Sequence, residues 1–162
     1  MEIPSRCTFR RLHRVIQETF GWFDYHLHEF TVPDAAYVPE EYTPLYAWPI
    51  KIRIVDGEDP EAEDYLEPDK YEVRYDNRTS LREIFSDTER CFYTYDFGDD
   101  WEHEILLEKV IKDSHNRFPV LLESEGERPP EDVGGLGDSK SIRALFLILD
   151  VRNMSPCLNG QK

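Results

Sequence analysis

The stretch "YTYDFGDDWEHEILLEKV", residues 93–110, constrains the fold more than any other. Aromatic and apolar residues recur at every second position on both sides of Gly98, the period of a half-buried strand, so the segment enters a sheet as a hairpin. A two-residue Gly98-Asp99 turn would set Phe97 against Asp100 and Tyr95 against Glu102, mixing aromatics with acids on one face. A three-residue loop, Gly98-Asp99-Asp100, instead aligns Tyr93, Tyr95 and Phe97 with Ile105, His103 and Trp101. That register gives one apolar face and puts Asp96, Glu102 and Glu104 on the other. It also sets Asp96 directly opposite Glu102, an arrangement that needs water, a cation or a basic side chain to screen it.

The flanking sequence supplies a helix and more strands. Thr8 is suited to cap a helix whose apolar stripe is Phe9, Leu12, Val15, Ile16 and Phe20, and Gly21 ends it. "HLHEFTV" alternates so that His26, His28, Phe30 and Val32 share one face. Four prolines between Pro33 and Pro49 remove backbone donors and predict a long loop packed by its aromatics. "IKIRIV" and "KYEVRY" read as strands, and Ser80 with Glu83 forms a capping box for a short helix. Between Asp56 and Asp69 stand eight acids and no base, which reads as a mobile solvated loop rather than a site. "SIRALFLILD" is too short an apolar run for periodicity to separate helix from strand.

One domain is expected over residues 1–162. No run of 18 apolar residues and no signal-peptide pattern occurs, so the reading is a cytoplasmic chain with no membrane association. Three widely spaced cysteines, without a CxxC pair, point to reduced thiols rather than disulfides. The net charge of −15 opposes binding to nucleic acid or to anionic membranes. Arg10, Arg11 and Arg14 on the first helix form the one candidate basic patch.

His26 and His28 are the clearest ligand candidates, because a strand holds them on one face with Cα atoms about 7 Å apart. His103, with a carboxylate from Asp99 or Asp100, would complete a set suited to zinc, manganese or iron. The competing expectation is that both histidines pack beside Phe30 and bond to loop carbonyls or acids.

Three segments in order, "LHRVIQETFGWFDYHLHEF" (12–30), "YTYDFGDDWEHEILLEKV" (93–110) and "RPPEDVGG" (128–135), resemble the plasmid pRiA open-reading-frame-three-like family over about residues 8–135. The resemblance implies an α+β fold, a mostly antiparallel sheet with a helix packed on it that brings the three motifs together. It implies no defined activity, and the insertion-element or TnpR-like label of some members implies a link to mobile elements by context alone. The motif positions are Gly21, Trp22, His26, His28 and Phe30, then Tyr95, Asp96, Phe97, Gly98, Asp99, Trp101 and His103, then Pro129, Pro130, Glu131, Asp132, Gly134 and Gly135. Of these, Gly98 is expected in a backbone conformation closed to other residues, and Trp22, Phe30, Phe97 and Trp101 are expected in the core.

The chain departs from the family at both ends. The strand and Trp-Arg-Arg segment that usually precede the first helix are expected to be missing, Arg128 replaces a frequent cysteine, and residues 136–162 diverge. A truncated copy with an unpaired sheet edge is therefore expected.

Three functions follow from this reading. The first is an accessory protein without enzymatic activity, binding a ligand or protein partner, or a second copy of itself, through His26, His28, Asp96, Asp99, Asp100, His103, Glu131 and Asp132. The second is a metal-dependent hydrolase or nuclease-like enzyme with His26, His28 and His103 as ligands. The third is a DNA-binding accessory of a mobile element.

Overall fold

The computed structural model describes residues 1–38, 47–64, 66–112, 116–125, 131 and 143–150, the last segment as backbone. Among these described residues the elements follow in the order β1 (Glu2–Pro4), α1 (Phe9–Phe20), β2 (His28–Pro33), β3 (Ile50–Val55), a 3-10 turn (Pro60–Glu63), β4 (Glu72–Tyr75), α2 (Leu81–Phe85), β5 (Arg90–Tyr95), β6 (Trp101–Ile111) and β7 (Arg143–Asp150). The strands form one sheet in the order β1-β7-β6-β5-β2-β3-β4. Its centre, β6-β5-β2-β3, is antiparallel throughout. The outer pairs β3-β4, β6-β7 and β1-β7 are parallel. The α+β architecture is the one the motifs imply, with parallel pairs toward both edges.

Alternation decides which face is buried. Phe30 and Val32, Ile52 and Ile54, Tyr93 and Tyr95, and Trp101 and Ile105 all point to one side, where Phe9, Leu12 and Ile16 of α1 and Leu81, Ile84 and Phe85 of α2 cover them. Thr8 accepts a hydrogen bond from the Arg11 amide, and Gly21 closes α1 at φ 63, in the left-handed region where glycine costs least. The Ser80–Glu83 capping box forms in full. The amides of Phe9 and Arg10 donate to the carbonyls of Thr79 and Asp76, which ties the start of α1 to the segment between β4 and α2.

Residues 2–4 form a short strand, β1, ahead of α1 and beside β7. Three expectations are corrected. The hairpin loop has five residues, 96–100, not three. Tyr95 therefore faces Trp101, Tyr93 faces His103 and Cys91 faces Ile105, while Thr94, not Asp96, faces Glu102. The buried face is as expected because a two-residue slip preserves strand parity. Phe97, released from the ladder, is 43% exposed rather than core.

Finally, the left-handed residues of the loop are Asp96 (φ 58) and Asp100 (φ 57), not Gly98. Gly98 stands at a close approach instead, since a Cβ there would lie 3.2 Å from Asp96 Oδ1, the atom that accepts its own amide. The apolar run at 143–150 resolves as a strand because it pairs on both sides, with β6 and with β1.

Candidate polar sites on the two faces of the sheet

A polar network crosses the apolar side of the sheet. Arg10, His13 and Gln17 lie at i, i+3 and i+7 on one flank of α1, which directs them toward the same neighbouring elements. Arg10 donates through Nε and Nη2 to the two oxygens of Asp76, each at 3.0 Å. Its guanidinium also pairs with Asp56 and Glu58. Asp76, wholly buried just after β4, accepts further from the Gly57 amide at 3.1 Å and lies 3.3 Å from His28 Nε2. Burial alone would raise its carboxyl, but the hydrogen bonds from His28, Arg10 and the Gly57 amide outweigh that and hold it well below the usual carboxylate range. The early part of the acidic run, expected as solvated loop, thus contributes Asp56 and Glu58 to this network.

The ring of His28 stacks on that of His13, centroids 3.5 Å apart and planes within 7°. His13 Nε2 lies 2.7 Å from Asp24 Oδ1, and Nδ1 lies 2.9 Å from the Tyr93 hydroxyl, which also accepts from the Gln17 amide nitrogen at 3.0 Å. Desolvation first, and the facing His28 second, push the His13 imidazole down to about 4. Both rings are buried, whereas the Asp24 side chain is 48% exposed and forms the mouth of the network.

The three motif segments meet at the adjoining end of the sheet. The Tyr95 hydroxyl donates to Glu131 Oε1 at 2.6 Å and accepts from the Tyr25 amide at 3.1 Å, while the Phe23 amide donates to Glu131 Oε2 at 2.8 Å. Trp22 stacks on Tyr95, with centroids 4.8 Å apart. The Asp96 amide donates to the Leu27 carbonyl, and the Asp96 carboxylate lies 3.6 Å from His26 Nε2. Asp96 Oδ1 also accepts from the amides of Gly98 and Asp99, which shapes the loop.

His26, His28 and His103 are therefore not gathered as a ligand set. His103 is buried among Phe20, Trp22 and Tyr93, and His26 faces Asp96. Among the described residues, the ligand atoms that converge belong to His13, Asp24 and His28, all within 4.8 Å of one another. Asp132 lies outside the described residues.

The sequence did not single out Arg10 as a buried ion-pair partner, nor His13, Gln17, Asp24, Asp76 and Tyr93 as site residues. One signal was available: His13 falls in the middle of the Phe9, Leu12, Ile16 and Phe20 stripe, where a histidine must find a partner. Asp76 carries no such local signal, because its partners are 66 and 48 residues away.

The opposite face carries a second concavity of about 540 Å³, with Trp48, Leu66, Phe92 and Phe97 around Glu29 and Arg53. Arg53 Nε lies 3.2 Å from Glu29 Oε2. Burial raises the Glu29 carboxyl above its ordinary value of 4.5, Arg53 opposing and Asp100 adding to the rise. A raised acid binds its proton more tightly in the folded chain, so this stabilising contribution is full below pH 4.5 and is lost as pH rises through the folded value. Urea unfolding of Glu29→Gln between about pH 4 and 7 is expected to show that loss removed, the variant's stability falling less with rising pH than the parent's.

The model of the family described as Plasmid pRiA4b ORF-3-like protein matches residues 1–146, a span wider than the 8–135 delimited by the motifs. A curated relative, "Uncharacterized protein y4hQ" of Sinorhizobium fredii (strain NBRC 101917 / NGR234), is 35% identical over 136 residues, 82% of this chain and 57% of that protein. The chain thus spans a little over half the length of this relative. The crystal structure of a protein of unknown function, MM3350 from Methanosarcina mazei Go1, matches at 27% identity with a TM-score of 0.42, over 62% of this chain and 45% of that one.

Proposed function

The chain belongs to the Plasmid pRiA4b ORF-3-like protein family, and from that premise we propose that it is an accessory binding protein that takes a basic segment of a protein partner. The partner docks on the sheet end built by residues 21–27, the 96–100 loop and Glu131. The observation that carries this reading is the junction itself: Glu131 clasps Tyr95 and the Phe23 amide, so that three segments distant in sequence share one surface.

That surface combines what a basic partner needs. Phe23 and Tyr25 are 68% and 75% exposed and stack on each other, with centroids 5.6 Å apart. Exposed aromatics in a cluster are typical anchors of protein interfaces. Asp24 stands between them in sequence, and Asp99 and Asp100 lie on the adjacent loop, within a chain of net charge −15. Charge of one sign steers an oppositely charged partner and disfavours a like-charged one. The same balance opposes nucleic acid, and Arg10, the first arginine of the candidate basic patch, is engaged by Asp56, Glu58 and Asp76. Among the described residues no helix is long and apolar enough to cross a membrane.

Fluorescence anisotropy with labelled Lys/Arg-rich peptides tests the reading. Saturable binding is expected, weakening with salt, and Phe23→Ala/Tyr25→Ala is expected to reduce it by about tenfold or more, the effect of losing an aromatic anchor. No saturable binding at low salt, or binding that the double substitution leaves unchanged, would count against it.

A further inference from the structure

We propose that His13, His28 and Asp24 form a binding site for one divalent transition-metal ion of the zinc class. Three independent features of the network point to an ion rather than to packing alone.

The first is the donor set. Two imidazole nitrogens and a carboxylate oxygen from three separate segments, α1, the turn after it and β2, lie within 4.8 Å of one another. Nitrogen donors with one carboxylate suit zinc, cobalt, manganese or iron, whereas calcium and magnesium take oxygen ligands almost alone. Asp24 adopts φ 59, a left-handed conformation uncommon outside glycine, and in it the side chain turns back onto His13. Its partial exposure leaves the remaining coordination positions open to water.

The second is the support behind each ring. A ligating histidine usually has its other nitrogen held by a hydrogen-bond partner that fixes ring and tautomer. Tyr93 holds His13 Nδ1, and Gln17 holds Tyr93. A half-turn of the Gln17 amide lets the Tyr93 hydroxyl donate to the amide oxygen and accept from His13 Nδ1–H, which turns the Nε2 lone pair toward Asp24 and the ion. His28 is held on its Nε2 side by Asp76, itself fixed by Arg10.

The third is charge. Around the single guanidinium of Arg10 stand three carboxylates, Asp56, Glu58 and Asp76, before Asp24 is counted. The buried histidine pair therefore sits in a net negative surrounding, which favours a cation. The imidazole lone pairs lie in their ring planes, which are within 7° of parallel with centroids 3.5 Å apart, so sharing one ion requires the two rings to tilt toward each other.

The test is a titration of the full 162-residue chain, stripped with a chelator, with Zn²⁺ and with Co²⁺, whose visible absorption reports the ligand field. One equivalent is expected to bind. Asp24→Asn, which keeps a residue tolerant of the left-handed conformation, is expected to weaken binding at least tenfold with an unchanged circular dichroism spectrum. Tyr93→Phe is expected to weaken it by about 10–100-fold, as loss of a supporting partner does. His26→Ala is expected to bind as the parent does. The proposal is overturned if neither ion binds at stoichiometric concentration, if Asp24→Asn binds like the parent, or if His26→Ala abolishes binding.

Discussion

Replacing Asp76 with alanine is expected to lower the stability of the folded chain by about 3–5 kcal/mol, the cost of breaking a buried ion pair by removing one partner. Asp76 is fully buried and accepts from Arg10, the Gly57 amide and His28 at once. Its loss strands the Arg10 guanidinium, only 13% exposed, with Asp56 and Glu58 as remaining partners. It also removes the anchor of the segment after β4, to which the first turn of α1 is hydrogen-bonded. Arg10→Met is expected to be nearly as damaging, because it leaves a carboxylate buried with fewer donors. The two substitutions together are expected to cost much less than their sum, since neither charge is then left alone. Urea midpoints of the parent, the two single variants and the double variant supply the cycle. Additive effects would mean that Arg10 and Asp76 act independently.

Phe30→Ala is expected to cost about 3–5 kcal/mol, the range for deleting a large buried aromatic. Phe30 is wholly buried at the centre of the antiparallel sheet. It meets Phe9 of α1 edge-on at 4.9 Å and Tyr93 of β5 at 4.9 Å. The lost side chain leaves space beneath α1 that backbone hydrogen bonds on both sides of β2 keep from closing. The His28 ring, which packs edge-on against Phe30, loses a wall as well. A shift of the urea midpoint with an unchanged slope is expected, and a small shift would show that α1 settles into the gap.

Much of the fold was legible because period two and period 3.6 are local properties. The helix stripe of Phe9, Leu12 and Ile16, the alternation of His28, Phe30 and Val32, and the Ser80–Glu83 cap appear in the structure as read. The hairpin shows where such reasoning ends. Its inward face was readable from alternation, but its register depended on two aspartates adopting positive φ and on a carboxylate accepting loop amides, which lengthened the turn to five residues. The strand at 143–150 needed its partners β1 and β6 to be distinguished from a helix.

The sites were harder to read for the same reason. The HxH pair drew attention to His26 and His28, yet only His28 joins the converging set, because strand β2 begins at His28 and residues 22–27 turn away toward Asp96. His13, by contrast, belonged to a helical pattern whose polar exception is visible only when its position on the helix wheel is counted. Glu131 was named among the candidates from its motif, and its role as the clasp on Tyr95 and Phe23 emerged only from the contact.

In the proposed function, residues 21–27, the 96–100 loop and Glu131 build one partner-binding surface. Its most direct test is amide chemical-shift mapping of the chain during titration with a Lys/Arg-rich peptide. The perturbed amides are expected to cluster at residues 21–27, in the 96–100 loop and at Glu131, fading as salt is added. Perturbations confined to the opposite face around Trp48 and Phe92, or none at saturating peptide, would contradict it.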